Sequence, residues 1–108
     1  MNLDEIREKI DRIDRQILEL FCSRMELVKG VAEYKIDNSL PVFHPERERQ
    51  ILSGVRSLGG EEYGGYAEEV FQTMMEVSRQ MQQKMIASRR GQDQVPDGES
   101  LEDDRSGK

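Results

Sequence analysis

The N-terminal part of the chain carries a seam of apolar residues that repeats every seven positions, and it contains no proline. The two columns of the seam are Leu3, Ile10, Ile17, Arg24 and Val31, and Ile6, Ile13, Leu20, Leu27 and Tyr34. Nine of these ten positions are apolar or aromatic, which is typical of a helix with one packing face. We therefore predict one helix from about Leu3, capped by Asn2, to about Lys35, with a length of about 48 Å.

A helix of this length cannot bury its seam inside a compact monomer of 108 residues. So small a chain has only a thin core, and this one has three Phe, three Tyr and no Trp with which to build it. A second copy of the chain can cover the seam, and we therefore expect a homodimer.

Two further helices are expected after a loop. Pro45, followed by acidic residues, indicates a helix start, because proline fits the first turn and acids favour the positive end of the dipole. The pair Gly59-Gly60 predicts the end of this helix, with Gly64-Gly65 in the next connection. A third helix is expected from about Tyr66 to about Ala87. The predicted fold class is all-α, with three helices of which the first is very long.

The composition changes near Ser88. Residues 88–108 are rich in Gly, Asp, Glu, Ser and Arg and contain almost nothing apolar, which is typical of disorder. We predict one helical domain, residues 1–87, followed by a disordered acidic and polar tail, residues 88–108.

Charge and hydropathy disfavour several classes of partner. A formal net charge of −6 argues against nonspecific nucleic-acid binding. No apolar run approaches the roughly 18 residues that cross a bilayer, and the start MNLDEIREK has no signal-peptide pattern. We expect a cytoplasmic protein with neither a membrane nor a nucleic-acid partner. Cys22 and His44 are each the sole residue of their type, so we expect neither a disulfide nor a metal site.

Arg24 is the one charged residue in the seam. Burying a guanidinium costs several kcal/mol unless an anion or hydrogen-bond acceptors meet it, so its position indicates an anion pocket between helices. Arg7 and Lys35 share a column beside the seam. Arg24 lies about 16 Å from Lys35 along the helix but about 26 Å from Arg7, which is too far for one small ligand. Arg7 could join the site only from an antiparallel partner chain.

The later helices add polar residues of their own. Ser78 and Gln82 lie one turn apart on a largely apolar strip of the third helix, and Arg47 and Glu48 lie at the start of the second. Covalent hydrolysis is disfavoured, because no Ser-His-Asp set can be built around one loop histidine.

The combined pattern resembles the all-helical (AroQ) class of chorismate mutases. The resemblance covers about residues 3–86, through LDEIREKIDRIDRQILELFCSRMELVKGVAEYK, LPVFHPERERQIL and FQTMMEVSRQMQQKM. It is carried by the Arg in the first turns, the Arg in mid-helix, the Lys at its end, the P-x-x-x-P-x-R-E segment and the S-x-x-x-Q pair. The fold that it implies is an intertwined homodimer of three-helix chains.

The resemblance also implies roles for individual residues toward chorismate. Arg24 and the partner chain's Arg7 would bind the two carboxylates, with Ser78 assisting. Lys35 and Gln82 would donate to the ether oxygen.

The remaining implied contacts concern the ring hydroxyl of chorismate. Glu48 would accept from it, and Arg47 would line the same site. His44 stands where the family commonly has an acid whose backbone helps to hold this hydroxyl. Since histidine is a poorer N-cap than aspartate, we expect the second helix to start more loosely by roughly 1 kcal/mol.

The implied activity is the Claisen rearrangement of chorismate to prephenate in phenylalanine and tyrosine biosynthesis, which needs no cofactor. One alternative is a lyase on the same scaffold that eliminates pyruvate from isochorismate. Another is a noncatalytic dimerisation module in which Arg24 fixes the register. A third is that the chain is the mutase part of a larger regulated enzyme.

Overall fold

Two helical elements, the second of them broken at a glycine, and one loop make up the described part of the chain. A computed structural model describes residues 1–94, with α1 at Leu3–Asp37 and α2 at Pro45–Gln94. There is no strand among residues 1–94, which confirms the all-α prediction. Neither helix combines the length and hydropathy that crossing a bilayer requires.

Helix α1 begins with a capping box. The Asn2 side chain accepts from the backbone N of Glu5 at 2.9 Å, and the backbone N of Asn2 donates to the Glu5 carboxylate at 3.1 Å. Each residue thus satisfies a backbone donor that the helix leaves open. The predicted cap is confirmed, and the helix extends two residues past Lys35 to Asp37.

The turn after α1 is held by two crossed backbone hydrogen bonds. The N–H of Leu40 donates to the carbonyl of Lys35 at 2.8 Å, and that of Ser39 donates to Ile36 at 3.3 Å. This is a Schellman motif, with Ser39 in the left-handed position at φ 56°. The motif reverses the chain immediately, so that the following loop returns alongside Lys35.

Helix α2 is broken at Gly60, whose φ of 73° and ψ of −173° are not helical. We call residues 45–59 the short arm and residues 61–94 the long arm. Ion pairs join Glu48 to Arg79 and Arg56 to Glu68, so the arms run antiparallel. The predicted break at Gly59-Gly60 is confirmed, but the predicted connection through Gly64-Gly65 is wrong, because residues 61–65 are helical.

The long arm also ends later than expected, at Gln94 rather than near Ala87. The two arms of α2 are thus separate helical segments that follow α1 without a loop between them, because one glycine with positive φ redirects the chain and the helix resumes at once. The predicted disordered tail overlaps this helix over residues 88–94, and its remainder, residues 95–108, lies outside the described residues.

Near the break, the two arms contact each other through backbone atoms, without side chains between them. A Cβ atom on Gly59 would lie 2.7 Å from the Cα of Gly64, and one on Gly64 would lie 2.3 Å from the carbonyl oxygen of Arg56. In both cases the atom that the added Cβ would meet belongs to the backbone and not to a flexible side chain. The close approach of the arms therefore requires glycine at both positions.

We expect Gly64→Ala to lower the free energy of unfolding by about 1–3 kcal/mol, because the added methyl group must push backbone apart. Gly54→Ala is the matched control, since a Cβ there meets nothing within 4 Å and alanine favours the helix by up to about 1 kcal/mol. Urea unfolding at a fixed protein concentration measures both changes. Equal stability of the two variants would contradict the close packing of the arms.

A single chain buries very little apolar surface. Among the residues whose burial is described, only two hydrophobic side chains are buried, Ala32 at 0% and Met75 at 4% exposure. The nine apolar residues of the α1 seam are between 40% and 74% exposed. The radius of gyration is 18.3 Å, compared with about 13 Å for a compact chain of similar length. One face of α1 thus lies uncovered in the isolated chain.

Candidate functional site

A cavity of about 240 Å³ lies between the C-terminal half of α1, the loop, the short arm and the middle of the long arm. One part of its wall is aliphatic, and the rest is polar. The polar lining consists of Arg24, Lys35, His44, Arg47, Glu48, Ser78, Arg79 and Gln82. The structure thus brings together every residue proposed for the site from the sequence except Arg7.

Arg24 reaches from the α1 seam to a buried hydroxyl on the long arm. Its Nη1 donates to the Ser78 Oγ at 3.0 Å, and that hydroxyl donates in turn to the Met74 carbonyl at 2.9 Å. Ser78 is only 5% exposed. The hydroxyl orients one nitrogen of the guanidinium, whose five N–H groups leave further donors for an anion such as a carboxylate.

Lys35 and Gln82 form a second pair of donors. The Lys35 ammonium donates to the Val42 carbonyl at 2.7 Å and to the Gln82 Oε1 at 3.1 Å. Two of its three N–H groups are therefore used, and one remains for a ligand. Because the carbonyl end of Gln82 faces Lys35, its NH₂ group is the end that can donate to a ligand. Two donors thus lie side by side, and the amide is buried at 6% exposure.

The charge of Lys35 is tuned by its surroundings. Desolvation lowers the pKa of Lys35, and the negative charge of Glu48 partly opposes that shift. Lys35 thus loses its proton more readily than an exposed lysine does.

Glu48 is paired with Arg79, a cation that its sequence context does not single out. Arg79 Nη1 lies 2.5 Å from each carboxylate oxygen of Glu48, and the two side chains are 26% and 21% exposed, respectively. The guanidinium also stacks over Phe43, 5.1 Å from the ring centroid. Arg79 belongs to no motif, and most charged residues on helices are simply solvated. No local sequence signal singles out Arg79, because its partner Glu48 lies 31 positions earlier in the chain.

His44 caps the short arm. Its Nδ1 accepts from the backbone N of Arg47 at 3.2 Å, and its carbonyl accepts from the backbone N of Glu48 at 3.1 Å. Histidine is expected to be a poorer N-cap than aspartate, but in the structure the His44 ring supplies the capping acceptor. His44 and Arg47 are both exposed at the mouth of the cavity.

Arg7 lies apart from the cavity in the isolated chain. It is exposed near the start of α1, 17 positions before Arg24. Along a helix this separation is about 26 Å. The single chain therefore does not bring Arg7 to the other cations.

Comparison with known proteins places this chain in a family. The model of the chorismate mutase type II family matches residues 6–83. A chorismate mutase of Methanocaldococcus jannaschii is 37% identical over 86 residues, which are 78% of this chain and 87% of that protein. No solved structure is a significant match.

Two other relatives are much longer than this chain. A bifunctional chorismate mutase/prephenate dehydratase of Aquifex aeolicus is 46% identical over 63 residues, which are 58% of this chain and 17% of that protein. A T-protein of Haemophilus influenzae is 41% identical over 54 residues, or 50% of this chain and 14% of the relative. The family match spans most of the chain and agrees with the resemblance drawn from its sequence, and the chain therefore belongs to the chorismate mutase type II family.

Proposed function

We propose that this protein catalyses the rearrangement of chorismate to prephenate, a step of phenylalanine and tyrosine biosynthesis. The observation that carries the proposal is the pairing of Lys35 with Gln82 beside Arg24 in one cavity. The cytoplasm remains our prediction for where the reaction takes place.

The donor pair suits this reaction because the Claisen rearrangement is intramolecular. It requires no nucleophile, proton transfer or cofactor, so catalysis must come from shape and charge placement. As the C–O bond breaks, negative charge builds on the ether oxygen. Lys35 and Gln82 would donate to that oxygen, and this interaction is stronger in the transition state than in the ground state.

The charges of the cavity suit a dicarboxylate. Arg24, Lys35, Arg47 and Arg79 line it together with a single carboxylate, that of Glu48. A locally cationic pocket attracts a doubly negative ligand even though the chain as a whole carries −6. Arg24, oriented by Ser78, would bind one carboxylate of chorismate.

We further propose that the protein is an intertwined homodimer that completes the site. A second copy covering the exposed seam of α1 would remove a large apolar surface from water. In an antiparallel arrangement, Arg7 of the partner subunit would reach the cavity and bind the second carboxylate. The dimer thereby explains both the uncovered seam and the distance of Arg7 from Arg24.

The direct test is an assay of the purified protein with chorismate and with isochorismate. Loss of chorismate absorbance with formation of prephenate is the expected result. Release of pyruvate and an aromatic acid from isochorismate would instead identify the lyase. A protein that consumes neither compound would be the noncatalytic dimerisation module.

The pH dependence of the reaction should report on Lys35. The ammonium form of this residue is a charged and much stronger donor than the neutral amine, so kcat/KM should fall as the pH rises through a pKa below the ordinary value of 10.5. Glu48→Gln removes the charge that raises this pKa, and we expect it to move the alkaline limb to lower pH.

The control for the pH profile is Glu26→Gln, which removes an exposed acid of α1 that pairs with Lys29 outside the cavity. Its alkaline limb should coincide with that of the wild type. An alkaline limb of Glu48→Gln at the same or a higher pH would contradict the assignment.

A further inference from the structure

We propose that Arg79 is a positioning residue, which holds the Glu48 carboxylate where it accepts from the ring hydroxyl of the substrate. Arg79 would thereby set the preference of the site for a ligand that carries this hydroxyl. The inference rests on the proposed function and deepens it, because it concerns how one substrate group is recognised.

The contacts of Arg79 join three separate segments at the edge of the cavity. Its guanidinium lies on the ring of Phe43 in the loop and against Glu48 on the short arm, while its backbone belongs to the long arm. Both charged groups are about three-quarters buried or more. A guanidinium held between an aromatic face and a carboxylate is restricted in orientation, and it restricts the carboxylate in turn.

Glu48 keeps the capacity to bind a hydroxyl in this arrangement. A carboxylate has about four lone-pair positions, and the single nitrogen Nη1 contacts both oxygens. The remaining lone pairs are available to an O–H donor. Arg79 thus holds the Glu48 carboxylate in place and leaves it lone pairs that can accept a further hydrogen bond.

Without Arg79, the Glu48 carboxylate would face the other cations of the cavity, among them Lys35, which already feels its charge. The carboxylate would then lose the contact that holds both of its oxygens and could turn away from the position of the hydroxyl. Because the hydroxyl contact exists in both the ground state and the transition state, its loss should appear mainly in KM.

The first test compares Arg79→Gln, Glu48→Gln and the double variant in steady-state kinetics with chorismate. We expect each single variant to raise KM about tenfold or more while kcat stays within about threefold. The double variant should be no worse than the worse single variant, since the two residues act as one unit. Independent, additive effects would overturn the proposal.

The matched control is Arg56→Gln. Arg56 bridges the same two arms through Glu68 but lies outside the cavity. This control should leave KM and kcat at wild-type values. An equal rise of KM in Arg56→Gln would show that Arg79 acts only by joining the arms.

The second test measures binding of two inert bicyclic ether dicarboxylates, one with the ring hydroxyl and one without it. Arg79→Gln should weaken binding of the hydroxylated ligand alone. Equal weakening of both ligands would mean that Arg79 binds a carboxylate directly, which overturns the proposal. Arg79→Lys, which keeps the charge but not the planar fork, should be intermediate and serves if the glutamine variant does not fold.

Wild-type turnover of chorismate is measured before the variants are compared. Its absence would refute the proposed function but not the role of Arg79, because the ligand pair tests that role by binding alone.

Discussion

Replacing either Lys35 or Gln82 by alanine is expected to lower kcat about 100-fold or more. Removal of one donor to a developing oxyanion typically costs this much, because water in the vacated space is not oriented in advance. The two side chains also hold each other through the 3.1 Å bond between the ammonium group and the Gln82 carbonyl. Loss of either one therefore removes a donor and releases the other, and the double variant should be less impaired than the product of the single effects.

Matched controls for this loss lie on the same helices. Lys29 is an exposed lysine of α1 paired with Glu26, and Gln83 is the exposed neighbour of Gln82. Lys29→Ala and Gln83→Ala should retain wild-type kcat in the chorismate absorbance assay. Normal kcat/KM in both Lys35→Ala and Gln82→Ala would refute the assignment of the ether oxygen to this pair.

Mixing two inactive variants is expected to restore activity. In the proposed dimer each site takes Arg7 from one subunit and Arg24 from the other, so both Arg7→Ala and Arg24→Ala homodimers lack a carboxylate contact at both sites. A heterodimer of the two variants has one site with both arginines and one with neither. Random re-association of equal amounts should therefore give about a quarter of the wild-type activity.

The control for the mixing experiment pairs Arg24→Ala with Lys35→Ala. These two residues serve the same site from the same subunit, so every site of this heterodimer lacks one of them. Activity should not return after unfolding and joint refolding of this pair. If Arg7→Ala with Arg24→Ala also fails to recover, Arg7 does not act across the interface.

The elements with strong local signals were predictable. The seven-residue repeat and Asn2 placed α1 correctly, and Pro45 marked the start of α2. Arg24 could be selected because a charge in an apolar seam needs a partner, and the structure supplies the Ser78 hydroxyl. These inferences depend on residues close in sequence or on the cost of burying one group.

The features that were missed depend on long-range packing. Residues 61–65 are helical with Gly64 packed against the backbone of Arg56, a contact between the arms that no local propensity encodes. Arg79 differs from a solvated arginine only through Glu48 and Phe43, which are distant in sequence. The capping role of His44 depends on a ring orientation that residue type alone does not specify.

Because one face of α1 is uncovered in the single chain, both folding and activity of the enzyme should depend on the protein concentration. In the proposed dimer most hydrophobic burial comes from association, so folding is a second-order process and its midpoint depends on protein concentration. On dilution, subunit separation would expose the seam and remove Arg7 from each site at the same moment. Structural integrity and turnover would then decline together along one dissociation curve, and the amount of protein in the cell would determine whether it is active.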